Sequence, residues 1–246
     1  MKKLLCLAPL LMLAACEGSI ADAVSEAASG SSSFADGIPV GTSASNPGEF
    51  VGVTLAGPDN IIFTTGDFSI RAEGDAGAVE ELRYQISGDE IKIGREHSRF
   101  TGGDGDRATI YLSAPSLKSA KLAGSGNLDV DAMTAESTRL SIAGSGDIKV
   151  ARIDTGSLNS KIAGSGNLSL AGSADTVDIS IAGSGDISGK DMKADSAIIS
   201  IAGSGDVELS SDGSVSARVM GSGDVRIHGS AKCKSRAMGS GDITCG

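Results

Sequence analysis

Few side chains in this chain could do chemistry, and one type recurs at a fixed spacing. Asn127, Asp147, Asn167, Asp186, Asp206, Asp224 and Asp242 each follow a Gly-Ser-Gly triplet. Stacked carboxylates could gather a cation, because calcium takes several oxygens at close range. The same side chains also bond backbone amides at turns, and both readings stand at this point. The string Gly-Ser-Gly-Asp-Ile touches the calcium-binding nonapeptide pattern. Its period is wrong and one glycine pair is missing, so weak surface binding of a cation is the most this ladder implies. No structural metal and no cofactor are expected. The triplet serines, from Ser125 to Ser240, have no paired base, and the two histidines, His97 and His228, lie in different regions. Nucleophilic catalysis needs a nucleophile beside a base that a third group orients. No catalytic residue is therefore assigned, and the chain reads as a non-enzyme.

The elements that must position these residues form an internal repeat. The triplets begin at Gly124, Gly144, Gly164, Gly183, Gly203, Gly221 and Gly239, at spacings of 20, 20, 19, 20, 18 and 18 residues. Period-two alternation flanks them, as in Val177-Asp178-Ile179-Ser180-Ile181 before and Ile148-Lys149-Val150 after. Such alternation marks strands with one buried face. A unit of this size cannot bury its apolar face alone, so the units must stack. The predicted fold class is all-β, a parallel β-helix-like solenoid of short 18–20-residue rungs with Gly-Ser-Gly-Asp/Asn corners. Stacking predicts one internal column of Ile142, Ile162, Ile181, Ile201 and Val219, and another of Ile148, Leu168, Ile187, Val207, Val225 and Ile243. The glycines fit a corner that needs positive φ or close backbone approach.

Residues 48–113 are strand-rich too, but their glycine motif is absent or degenerate. They read as N-terminal capping rungs or as a small β subdomain continuous with the solenoid of residues 114–246. Residues 97–106 read as a loop.

Composition narrows the function. The formal charge is −10, and aromatic residues make up 3% of the chain, with none after Tyr111. A core of Ile, Leu, Val and Ala suits a thin layered solenoid. Charges look scattered along the sequence, as at Lys149, Arg152, Lys161 and Arg226. An acidic chain without a basic run is a poor candidate for nucleic acid or for anionic lipid surfaces.

The N-terminus reads as an export signal. Lys2 and Lys3 precede an apolar run, Leu4 to Leu13, that is too short to span a bilayer as a helix. Leu13-Ala14-Ala15-Cys16 resembles the lipobox of bacterial lipoproteins. That resemblance implies cleavage after Ala15 and a lipid on Cys16, so that the membrane becomes a partner through the N-terminal lipid. Glu17, in place of the Asp that retains lipoproteins in the inner membrane, leans toward the outer membrane. Residues 16–47, rich in Ser, Gly and Ala, read as a flexible tether. Cys6 leaves with residues 1–15 and Cys16 is acylated, which leaves Cys233 and Cys245 as a lone pair in an oxidising compartment. A disulfide is the default reading there; two free thiols, with Cys245 as a small apolar filler, are the alternative.

Serial Ala-Gly-Ser-Gly-Asp-Ile motifs follow a leader of the type Glu49-Phe50-Val51-Gly52-Val53-Thr54-Leu55 and Arg107-Ala108-Thr109-Ile110-Tyr111-Leu112. Together they resemble the auto-transporter adhesin head GIN domain family over roughly residues 48–246. The resemblance implies a β-solenoid and carries no catalytic residues with it. The reading that results is a lipid-anchored, non-enzymatic protein of the bacterial cell envelope, at the outer membrane and facing periplasm or exterior. It would bind an envelope polymer, a surface or a protein ligand, and not nucleic acid. The competing readings are a structural envelope protein without a specific ligand and a β-helix enzyme acting on polysaccharide.

Overall fold

Alternating apolar residues bury one side of each strand, and the glycine corners let the chain wind so that those sides meet. The computed structural model describes residues 34–41, 49–96 and 106–246. The leader, Cys16, residues 17–33 and 42–47 of the expected tether, and His97 lie outside these described residues. The strands are β1 (Ile38–Pro39), β2 (Gly52–Gly57), β3 (Asn60–Thr65), β4 (Ser69–Gly74), β5 (Leu82–Ser87), β6 (Glu90–Arg95), β7 (Ala108–Ala114), β8 (Ser119–Gly124) and β9 (Asn127–Val130). They continue as β10 (Met133–Gly144), β11 (Asp147–Gly164), β12 (Leu168–Gly183), β13 (Ile187–Gly203), β14 (Val207–Gly221), β15 (Val225–His228), β16 (Lys232–Gly239) and β17 (Ile243–Cys245). One α-helix, α1 (Ala76–Glu81), lies between β4 and β5, and a 3-10 turn spans Phe34–Asp36.

All the strands belong to one 17-stranded sheet, and the repeats pair in parallel. Along the longest face the ladder runs β6, β2, β8, β10, β11, β12, β13, β14, β16. A register shift between Val150 and Ile153 and an unpaired position at Gly156 divide the β11–β12 ladder into arms, 148–150, 153–155 and 157–164. The predicted columns form. Leu122, Ile142, Ile162, Ile181, Ile201 and Val219 stack one rung apart and are buried. Ile148, Leu168, Ile187, Val207 and Val225 do the same on the next arm, and Ile243 closes that column half-buried.

Residues 49–114 supply rungs and a cap, but not in chain order. β2 and β3 form a rung that pairs with β8 and β9 on one side and with β6 and β7 on the other. The chain therefore lays one rung, builds the end rung next to it, then returns past both to start the repeats. β5 pairs antiparallel with β6, and β4 antiparallel with β7. These antiparallel strands cover an edge that would otherwise invite pairing with other chains.

The tether boundary needs correction. Residues 34–41 are part of the folded unit. Ile38–Pro39 pairs antiparallel with β5, and Val40 N–H donates to the Leu82 carbonyl at 3.1 Å. Phe34 is buried, its ring lying over Gly94. Averaged composition hides this, because Phe34, Ile38 and Val40 are isolated apolar groups among Ser, Gly and Ala. Helix α1 was likewise not expected. Asp75 caps it by accepting from Ala78 N–H at 2.9 Å. That segment, Ala76-Gly77-Ala78-Val79-Glu80-Glu81, is too short to carry an apolar stripe that would announce a helix.

Candidate functional site

The Asp/Asn column is brought together as a continuous ladder. Each side-chain Oδ1 accepts the backbone N–H of the equivalent residue one rung later. Asn127 accepts from Asp147 at 3.3 Å, Asp147 from Asn167 at 2.9 Å, Asn167 from Asp186 at 3.1 Å, and Asp186 from Asp206 at 2.8 Å. Asp206 then accepts from Asp224 at 2.7 Å, and Asp224 from Asp242 at 2.8 Å. Asp242, with no later rung, accepts from Ile243 at 2.9 Å. The ladder starts one rung earlier than the sequence motif, at Asn60, which accepts from Asn127 at 3.0 Å. The corner explains the chemistry. Ser N–H bonds back to the preceding rung's first glycine, as Ser204 to Gly183 at 2.9 Å, so the amide two residues on needs another acceptor. A short side-chain carbonyl supplies it, and Asp and Asn do so equally.

Asp186, Asp206, Asp224 and Asp242 line a shallow groove with Ser188, Glu208, Arg226 and Thr244. His228 Nε2 lies 2.6 Å from Glu208 Oε1, and that hydrogen bond holds the Glu208 carboxyl below its ordinary range. No three His, Cys, Asp or Glu side chains among the described residues converge as a metal-binding group. What the arrangement does chemically is satisfy amides along the stack, one oxygen of each ladder side chain being committed to that bond.

Cys233 and Cys245 form a disulfide, with Cα atoms 6.5 Å apart. Cys233 stacks under Val215 and Cys245 under Ile227, both buried, so the bond joins two arms of the last rung across the core end. Its loop of 12 residues' separation implies about 3 kcal/mol of stabilisation in the chain-entropy model. Thiol labelling of the denatured, unreduced protein should detect neither Cys233 nor Cys245, and both after reduction. Labelling of both without reductant would refute the bond.

A buried pair that the sequence did not reveal locks the other end. Asp59 replaces the second glycine of the degenerate corner Gly57-Pro58-Asp59-Asn60, and its side chain is fully buried. Arg95 meets it with two bonds, Nε to Oδ2 at 2.8 Å and Nη2 to Oδ1 at 2.7 Å, and Ala108 N–H donates to Oδ1 at 2.9 Å. The hydrogen bond to Asp59 pushes the Arg95 pKa up, against the opposing effect of burial. The available signal was the loss of glycine at an inward corner position.

Stacking gathers charges that the linear sequence disperses, although Lys121 pairs with Glu90 at 3.5 Å. One outward column of the long face reads Lys92, Thr54, Lys121, Ser141, Lys161, Ser180, Ser200, Arg218, Arg236, all cations or hydroxyls. The adjacent outward column is Ser119, Arg139, Asn159, Asp178, Ile198, Ser216 and Lys234, with Asp178 its one carboxylate, and beyond it runs Ser137, Ser157, Thr176, Ser196, Ser214 and Lys232. The strand period gathers these residues because every second side chain points outward and equivalent positions stack. The exclusion of anionic surfaces on overall charge alone therefore does not stand.

Fold and corners together define a short-runged parallel β-solenoid with an amide-satisfying Asp/Asn ladder. Residues 49–231 match the family described as "Putative auto-transporter adhesin, head GIN domain", and the chain belongs to that family. No curated relative matches the chain in sequence. Among solved structures it is similar to a "putative adhesin" from Bacteroides fragilis, at 19% identity and TM-score 0.73, covering 82% of this chain and 94% of that one. A "Putative lipid binding protein" from Parabacteroides distasonis gives 22% identity and TM-score 0.61, covering 80% and 92%. A "putative adhesin" from Parabacteroides merdae gives 18% identity and TM-score 0.59, covering 80% and 92%. At these identities the likeness is one of fold.

Proposed function

We propose that this protein is a lipid-anchored, non-enzymatic adhesin-like binding module of the bacterial envelope, held at the outer membrane through Cys16. The observation that carries the binding role is the long face of the solenoid, where stacked arms present hydroxyl, amide and charged side chains in straight columns. A rigid, repetitive surface of this kind suits an extended surface ligand, as solenoid faces do generally. Family membership supports the adhesin-like reading, and the Leu13-Ala14-Ala15-Cys16 motif supports the anchor. The ladder carboxylates are committed to backbone amides, which favours binding over polysaccharide hydrolysis. Their second oxygens leave weak cation binding as a secondary property of the ladder.

The anchor has a direct test. Cys16→Ser should leave the precursor uncleaved and without lipid, so that labelled fatty acid is no longer incorporated. A Cys16→Ser protein that still reaches the membrane fraction processed and acylated would overturn the lipoprotein assignment.

A further inference from the structure

At the C-terminal end of the long face, β13, β14 and β16 set out a grid of outward side chains. The rows are Ser196, Ile198, Ser200, Ala202; then Ser214, Ser216, Arg218, Met220; then Lys232, Lys234, Arg236, Met238. No acidic residue occupies any of these positions, although the whole chain carries −10. Arg218, Lys232, Lys234 and Arg236 are exposed. Ile198 is 57% exposed, Met220 48% and Met238 57%, among the most exposed large apolar side chains of the described residues.

Two readings compete for this patch. Lysines on an edge strand such as β16 discourage pairing with other chains. That accounts for Lys232 and Lys234, but not for Arg218 on β14 and not for the methionines. The column holding Met220 and Met238 is Ala123, Ala143, Ala163, Ala182 and Ala202 in the earlier rungs. Alanine changes to a long apolar side chain only where the cations gather, and there the side chain faces solvent. A soluble polyanion would reward the cations and leave the methionines wet. A bilayer with anionic headgroups rewards both, through phosphate contacts and through apolar groups set below them.

We infer that the C-terminal end of the long face docks on an anionic lipid surface, with Arg218, Lys232, Lys234 and Arg236 on headgroup phosphates and Met220 and Met238 in the interfacial layer. This goes beyond the anchor at Cys16 and does not depend on it. Each cation near such a surface raises occupancy by about fivefold, so the four together should dominate docking.

Methionine oxidation by peroxide reads the contact in the whole protein. The purified full chain is mixed with phosphatidylcholine vesicles, or with vesicles that also contain phosphatidylglycerol, and sulfoxide formation is followed residue by residue. Met133 and Met192 are fully buried and serve as internal controls for an intact fold. Oxidation of Met220 and Met238 should slow by about tenfold with phosphatidylglycerol vesicles only. The protection should vanish in about 1 M salt, where charges are screened beyond about 3 Å. It should also vanish in the triple variant Lys232→Gln, Lys234→Gln, Arg236→Gln with Met133 and Met192 still unreactive. Equal protection by both vesicle types would overturn the proposal, as would equal protection by a soluble polyanion such as polygalacturonate, or none at all. Because the readout is confined to Met220 and Met238, a failure here leaves the Cys16 anchor standing, and a failure of the anchor leaves this contact measurable.

Discussion

Gly203→Ala should cost more than about 3 kcal/mol and open the stack between β12 and β13. Two constraints meet at this residue. Its φ is +141°, which side chains rarely adopt, and a Cβ there would lie 1.9 Å from the Gly183 carbonyl oxygen. Unfavourable φ alone costs about 1–3 kcal/mol. The overlap is with backbone, so it is relieved only by separating the rungs. That separation also breaks the Ser204 N–H bond to the same Gly183 oxygen, now 2.9 Å. Ser204→Ala, at the exposed residue next door, should stay within about 0.5 kcal/mol. Repeat arrays divide into segments when an interface between neighbours weakens. Hydrogen exchange should therefore show lost protection centred on β12 and β13, together with a lower denaturant midpoint. If Gly203→Ala matched Ser204→Ala in both measurements, the close corner stacking would be wrong.

The repeats were legible because three signals agree in each of them: strand alternation, a glycine corner and an Asp or Asn at one offset. The Ile181 and Ile187 columns follow from those signals by stacking alone, and their partners emerge as expected. Cys245 was placeable for the same reason, since it falls where Ile227 stands one rung before. The ladder's role was legible only in kind. The side chains do bond amides, but those amides lie one rung away, and sequence-local turn chemistry gives no hint of a partner 18 to 20 residues distant. The order of rungs at the N-terminal end was not legible. Nothing in residues 52–65 says that they will sit between 90–114 and 119–130, because alternation encodes which face is buried and not which neighbour is chosen. Asp59 and Arg95 are 36 residues apart and meet only through that non-sequential order. The cationic column escaped for a related reason. Lys121, Lys161 and Arg218 are dispersed in the chain and fall into one column, with serines between them, only when the rungs are stacked in register.

Ile181→Asp and Asp186→Asn should differ more than any other pair of substitutions so close in sequence. Ile181 is 2% exposed and stacks between Ile162 and Ile201 inside the solenoid. The column gives a carboxylate there no donor, since its members are Leu122, Ile142, Ile162, Ile201 and Val219. An unpaired charge in such a site costs several kcal/mol or forces the group to protonate. A loss of more than about 4 kcal/mol is expected, enough to prevent accumulation of folded protein in many domains. Asp186 faces solvent on the other side of the corner and acts through Oδ1, which accepts from Asp206 N–H at 2.8 Å. Asparagine keeps that oxygen, as Asn167 does one rung earlier for Asp186 N–H. It also removes one charge from a run of four carboxylates, Asp186, Asp206, Asp224 and Asp242, spaced by about 4.8 Å. Asp186→Asn should therefore be neutral or stabilising by a few tenths of a kcal/mol, with the larger effect at low salt, where exposed charges are least screened. Denaturation midpoints of both variants at low and high salt decide the assignment. Comparable losses from the two substitutions would mean that inward and outward faces have been exchanged. A large loss from Asp186→Asn alone would mean that the carboxylate's charge, and not its Oδ1, does the work at the corner.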